Sequence, residues 1–195
     1  MNIGKSLSST QKILKALLPS DDVVFFRFTA GNSDALAVYV DSITDREMLG
    51  LEVIVPLKNS EIKGGMKNAA KKIAAANVKP VTETRAAVDE ILRGSTLIFI
   101  DGKCGGIAVD LKKFAVRSIE EPPTELAIRG PRNGFIESIK TNLSLVRRYL
   151  KTPALKIETM KIGKYTSTDV ALLSIDGITD ETLVNKVRKK LKSID

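Results

Sequence analysis

Two copies of one corner, Asp41-Ser42-Ile43-Thr44-Asp45 and Asp176-Gly177-Ile178-Thr179-Asp180, constrain this chain more than any other feature. The same run of elements precedes each. A helical segment ends at a proline (Pro19, Pro153), two strand-like segments follow, and the DxITD corner leads into a further helix. Asp and Thr are favoured where a strand meets a helix, because their short side chains accept hydrogen bonds from free backbone N–H groups. Capping chemistry alone can therefore generate the corner. The whole matched order, residues 12–55 against 147–191, points further, to an internal duplication and two similar lobes. Two lobes leave a cleft, and clefts between domains are preferred ligand sites.

Periodicity fills in the rest. Ile13, Leu14, Leu17 and Leu18 share one face of a helix over 9–18. VVFFRF and ALAVYV read as a hairpin around Gly31-Asn32, with a helix over 46–55 capped by Asp45. Helices are expected over 66–76 and 85–92, and a second hairpin, STLIFIDG and GGIAVDL, around 101–106. RSIEEPP at 117–123 reads as an extended linker, since proline disfavours helix for itself and for the residue before it. LAIRG is strand-like, and a helix over 135–150 carries Ile136, Ile139, Leu143, Val146 and Leu150 as its apolar stripe. LKIETMKIG, DVALLSIDG and a helix over 180–193 close the chain. The expected class is α/β (α+β). It consists of a lobe over 1–116, the linker, and a β-α-β-β-α lobe over 124–195, each a mixed sheet with helices against it. The second lobe is expected to pack two helices on one face of its sheet.

Composition excludes much chemistry. There is no histidine and a single cysteine, Cys104, so a Cys/His zinc site, an intrachain disulfide and the common Ser-His or Cys-His nucleophiles are all out of reach. Asp41, Asp45, Asp176 and Asp180 read as caps and turns, and neither metal nor cofactor is expected. No apolar run reaches the roughly 18–20 residues of a membrane helix. The first residues are too polar for a signal peptide, so the chain reads as a soluble piece. Net charge is +8, and the stretch from Pro122 onward holds 14 Lys and Arg against 8 Asp and Glu. The last helix concentrates Lys186, Arg188, Lys189, Lys190 and Lys192, which suits solvent, acidic lipid headgroups or RNA. Nucleic acid is disfavoured, because the strand DVALLSIDG offers no aromatic for base stacking.

The stretch ELAIRGPRNGFIESIKTN poses the sharpest question. Gly130 and Gly134 admit backbone angles that other residues resist, and Pro131 stiffens the turn. With Gly134 as N-cap, Glu137 falls at the third helical position and can reach back to free N–H groups. Arg129 and Arg132, beside Asn133, either hold a carboxylate or phosphate at the helix N-terminus or pair with Glu120, Glu121 and Glu125 to fix the linker.

The longer stretch EEPPTELAIRGPRNGFIESIKTNLSLVRR resembles the GerA family, the A subunits of bacterial spore germinant receptors. The likeness is strong over 117–191 and continues back to about Ser6 through DVVFFRF, DSITD and STLIFIDG. Asn133 stands where the family usually has an acidic residue. The resemblance implies a non-enzymatic, two-lobed cytoplasmic region preceding a membrane-spanning one that is absent here. It implies work with B and C subunits, with homo-oligomers as one arrangement, at the cytoplasmic face of the inner spore membrane. Such receptors sense nutrients such as amino acids or sugars and trigger germination. Two roles follow as expectations: signal coupling through subunit contacts, with the RGPRNG corner as a rigid joint, or direct binding of a nutrient between the lobes.

Overall fold

The computed structural model describes residues 1–113 and 134–194. Ser6 starts α1 (Leu7–Leu17) by accepting the Ser9 N–H at 3.3 Å. Beyond Pro19, β1 (Val23–Ala30) and β2 (Ser33–Val40) pair antiparallel along their full length. The turn between them needs Gly31. Its φ is +56°, and an added Cβ would lie 2.6 Å from the Ser60 carbonyl oxygen.

The first corner forms a single 3-10 turn (Asp41–Ile43), and Asp45 then caps the next helix through the N–H groups of Glu47 and Met48. That helix runs unbroken from α2 (Arg46–Met48) through a π-helical stretch (Leu49–Ile54) into α3 (Val55–Lys58). Pro56 explains what happens beside it. Proline has no N–H, which leaves the Glu52 carbonyl without its usual partner. The Ala74 N–H takes that carbonyl at 2.9 Å. The same bond draws Ala74 out of helical pairing, so α4 (Met66–Ala70) ends short of the helix expected over 66–76.

Three further strands complete the first sheet: β3 (Val78–Val81), β4 (Thr96–Ile100) and β5 (Gly106–Val109), with α5 (Thr84–Leu92) between the first two. Strand order is β1-β2-β4-β5-β3, antiparallel throughout. The sequence gives little sign of β3, which holds Pro80; an outer strand tolerates a proline because one side of it needs no N–H donors. Side chains alternate across the sheet. Leu36, Val38 and Val40 face α1 and α5, whereas Ala35, Ala37 and Tyr39 face Leu49, Val53 and Leu57 of the 46–58 helix.

The second lobe repeats the plan, offset by 132 residues as far as the first strand and by 135 after a longer hairpin loop. Ser138 opens α6 (Ile139–Tyr149) as Ser6 opens α1, and both helices have 11 residues. β6 (Leu155–Ile162) and β7 (Thr168–Ile175) form an antiparallel ribbon of 8-residue strands, as β1 and β2 do. Asp180 then caps α7 (Glu181–Lys192) through Thr182. Packing repeats too. Leu7, Leu14, Val23, Phe25, Leu36, Val38 and Val40 of the first core have counterparts in Ile139, Val146, Leu155, Ile157, Ala171, Leu173 and Ile175 of the second.

Two expectations change here. The helix begins at Ile139, not near Phe135, with Ser138 rather than Gly134 as its cap; glycine has no side-chain acceptor, and Ser138 Oγ accepts from Thr141 at 3.3 Å. Nor do both helices share one face of the ribbon. α6 covers the face of Leu155 and Ile157, while Glu158 points the other way and binds Arg188 of α7.

The lobes meet at a polar seam. Arg147 and Asp22 are buried, with side chains 1% and 3% exposed. The guanidinium donates to both Asp22 oxygens, at 2.7 and 2.8 Å, and to Ser20 Oγ at 3.0 Å. The neighbouring backbone follows suit. Asp21 N–H donates to the Ile157 carbonyl (2.9 Å), and Asp21 and Ser20 side chains accept from Thr159 N–H (2.8 Å) and Ile157 N–H (3.0 Å). Residues 20–22 thus cover the outer edge of β6. Among the described residues no strand pairs with the outer edge of β7, whereas its counterpart β2 is covered by β4.

Removing one half of the buried pair should cost more than removing both. Arg147→Ala is expected to lose about 3–5 kcal/mol in urea unfolding, because Asp22 is left buried and unpaired, while Asp22→Asn with Arg147→Met recovers most of that. At the first corner, Lys113 holds the Asp45 carboxyl below its ordinary range by a hydrogen bond, with the capped Met48 N–H adding to the effect. A depressed carboxyl stabilises the fold above its unfolded pKa, and that stability is lost as pH falls through the folded value. Asp45→Ala should therefore cost about 1 kcal/mol at neutral pH. The gap to wild type should close in acid unfolding curves below about pH 4.

Candidate ligand cleft between the lobes

Arg129, Gly130, Pro131, Arg132, Asn133, Glu120 and Glu121 lie outside the described residues, as do the linker 117–123 and the strand expected at LAIRG. Gly134 and Glu137 are described. Glu137 is an exposed bend residue ahead of α6, so it takes no part in the capping expected of it. Asn142 does that work instead. Its side chain accepts the Ile136 N–H (2.8 Å) and donates to the Ile136 carbonyl (2.6 Å), which lashes the entering segment to the first turn of the helix.

Beside the seam a cleft of about 300 Å³ opens between the lobes. Asp21, Asp22 and Val24 come from the start of β1, and Asp41, Ser42 and Arg46 from the first corner. Ile139, Lys140 and Leu143 of α6 face Thr159 and Met160 of β6 and Asp169 and Val170 of β7. The volume is at the low end for small-molecule sites, which run from roughly 300 Å³ upward.

The walls combine an apolar strip with opposed charges. Asp41 binds Arg46 of its own lobe and Lys140 of the other at 3.4 Å. It is therefore a second, more exposed contact between the lobes. Asp21 and Asp169 carry exposed carboxylates, the latter paired with Lys161 at 2.8 Å. Behind the corner, burial pushes the Tyr39 phenol above its ordinary value, against a smaller lowering by Arg46. Ser42 is 7% exposed, and its hydroxyl has no hydrogen-bond partner. Its oxygen is closed to solvent, like the equally unpartnered hydroxyls of Thr44 and Thr96, so it is a cost of about 1–3 kcal/mol carried inside the fold behind the cleft wall. Such an arrangement can hold an ammonium against Asp21 and Asp41, a carboxylate or hydroxyl against Arg46 and Lys140, and an aliphatic portion against Met160, Val170 and Leu143. Among the described residues no group of three or more Asp, Glu or Cys is placed to hold a metal ion.

The sequence anticipates a cleft between the lobes but points to the RGPRNG corner for its polar groups, and does not single out Asp21, Arg46 or Lys140. One signal was available. Arg147 is one turn beyond Leu143 on the apolar side of α6, and a cation on a buried stripe requires a carboxylate partner elsewhere in the chain.

The sequence model of the family described as "Bacillus/Clostridium GerA spore germination protein" matches residues 11–195. Spore germination protein KA of Bacillus subtilis (strain 168) is 32% identical, over 100% of this chain and 36% of the relative. The uncharacterized membrane protein YfkQ of the same organism is 34% identical, over 89% of this chain and 34% of its own length. The crystal structure of the N-terminal domain of the A subunit of the Bacillus megaterium spore germinant receptor GerK3 superposes with a TM-score of 0.79 at 28% identity, covering 100% of this chain and 74% of that one. The chain spans about a third of the length of these two curated relatives.

Ser42→Ala deletes a buried hydroxyl that has no partner, so the ligand-free chain should keep or gain stability, by up to about 1 kcal/mol. A loss of more than that in urea unfolding would mean that Ser42 Oγ already has a bond in the folded protein.

Proposed function

The chain belongs to the GerA family, and from that premise we propose that it is the N-terminal region of a germinant receptor A subunit, whose inter-lobe cleft binds a small polar nutrient. The observation that carries this reading is the cleft itself: a pocket shared by both lobes, with opposed charges on its walls. An amino acid matches its chemistry best, since the walls offer carboxylates for an ammonium and cations for a carboxylate. A ligand that displaces Lys140 from Asp41 alters the more exposed of two inter-lobe ion pairs and leaves the buried Arg147–Asp22 pair in place. That gives binding a route to a change in lobe disposition.

Coupling to other receptor subunits, of the B and C types, has its own support. The 46–58 helix turns Met48, Leu51 and Val55 outward, 41%, 59% and 49% exposed, as an apolar ridge beside Arg46. Exposed apolar rows of this kind mark contact surfaces. The ridge and the cleft share one helix, which would let a nutrient at one end be felt by a partner along the other. Germination at the spore's inner membrane is the role in which these parts make sense together.

An NMR titration of the chain with a panel of amino acids and sugars tests the cleft. Saturable shifts are expected at Asp21, Ser42, Lys140 and Val170, weakened about tenfold or more by Lys140→Gln through the loss of one hydrogen bond to a charged group. Shifts absent at millimolar nutrient would remove the binding role and leave the subunit-contact role standing.

A further inference from the structure

α7 holds five basic residues, Lys186, Arg188, Lys189, Lys190 and Lys192, and only Glu181 as an acid. One of the five is used internally: Arg188 Nε donates to Glu158 at 2.6 Å, on the side where Val184 and Leu191 are half-buried. The flank beside it, about 90° round the helix, is unusual for a solvated helix. Leu183 is 56% exposed, Val187 36% and Ile194 54%, and Ile178 in the preceding turn is 80% exposed. At 3.6 residues per turn, Leu183, Val187 and Lys190 fall within one stripe about 60° wide, Lys186 borders it, and Ile194 follows just past the helix end. Among the described residues no carboxylate forms an ion pair with Lys186, Lys189 or Lys190.

We propose that this face of α7 is a docking surface for an anionic lipid bilayer, with Leu183, Val187 and Ile194 seated at the headgroup level and the lysines on lipid phosphates. Charge complementarity selects the partner. Lysines at the border of an apolar row can bury their aliphatic stems and keep their ammonium groups among headgroups. Protein interfaces, by contrast, are depleted in lysine. A nucleic acid would use the lysines but not the aliphatic row, and α7 and β7 have no aromatic on which a base could stack. The proposal is independent of the cleft: α7 contributes no residue to it.

Flotation of the chain with vesicles tests it, using phosphatidylcholine alone and equal parts of phosphatidylcholine and phosphatidylglycerol. Binding to the anionic vesicles only is expected. Lys186→Gln with Lys190→Gln should lower the partition about five-fold per lysine. Leu183→Ser with Val187→Ser should lower it as well, in a chain whose thermal melt shows it folded at the assay temperature. Equal binding to neutral vesicles, no binding to either, or wild-type binding by the Leu183/Val187 variant would each overturn the proposal. An oligouridine that binds the chain, and is lost with the lysines but not with the aliphatic pair, would place a nucleic acid on this face instead.

Discussion

The arrangement of the two lobes depends on one buried ion pair. Arg147 and Asp22 are removed from water together, and their mutual attraction offsets desolvation only because nearly every remaining lone pair and proton is used. Ser20 illustrates the economy of the site. Its hydroxyl donates to Asp22 at 2.6 Å and accepts from Arg147 and from the Ile157 N–H. A charged pair of this kind contributes less to net stability than an apolar contact of the same size, but it tolerates almost no misalignment. It therefore defines where β6 sits relative to β1, and the cleft walls inherit that precision.

That dependence is unequal. The first lobe has two apolar layers, one on each face of a five-stranded sheet. Among the described residues the second has one buried cluster of Leu143, Leu155 and Ile157 with half-buried neighbours, on a two-stranded ribbon. An isolated ribbon is marginal in water. The second lobe gains from residues 20–22, which supply hydrogen-bond partners to one ribbon edge and a carboxylate to its helix. Local opening is easiest where apolar burial is least, so the second lobe is the part poised to move against a firm first one.

The repeat and its corners were legible in the sequence because capping is local. Asp45, Asp180 and the paired prolines act within a few residues of themselves, and the eight-residue hairpins follow from alternation and turn chemistry. Gly31, read as a turn residue, is held to glycine by the Ser60 carbonyl as well as by its φ. What escaped notice was long-range. Nothing near Asp22 announces that its partner is Arg147, and nothing near Asp41 shows that Lys140 of α6 approaches it from the other lobe. The misplaced start of α6 has the same origin on a shorter scale. Gly134 looked like a cap because of its flexibility, whereas the cap is chosen by an acceptor that Ser138 has and glycine lacks. Lateral assembly was equally hidden, since the alternation of Leu155 and Glu158 gives two usable faces, and only the Arg188 pair shows that α7 takes the second.

The two contacts between the lobes differ in what can compete with them. Asp22 is shut off from solvent, so a ligand in the cleft meets it only with its charge already satisfied by Arg147. Asp41 is partly exposed, and its partners Arg46 and Lys140 are more so, at 59% and 51%. Exposed pairs are worth at most about 1 kcal/mol, which a single charge-assisted hydrogen bond to a ligand can replace. A zwitterion entering the cleft can thus take over Asp41 with its ammonium and Lys140 with its carboxylate, while the buried pair keeps the lobes joined. Of these two ion pairs, the one that a ligand cannot reach fixes the seam, and the one that it can reach is where the proposed binding would act.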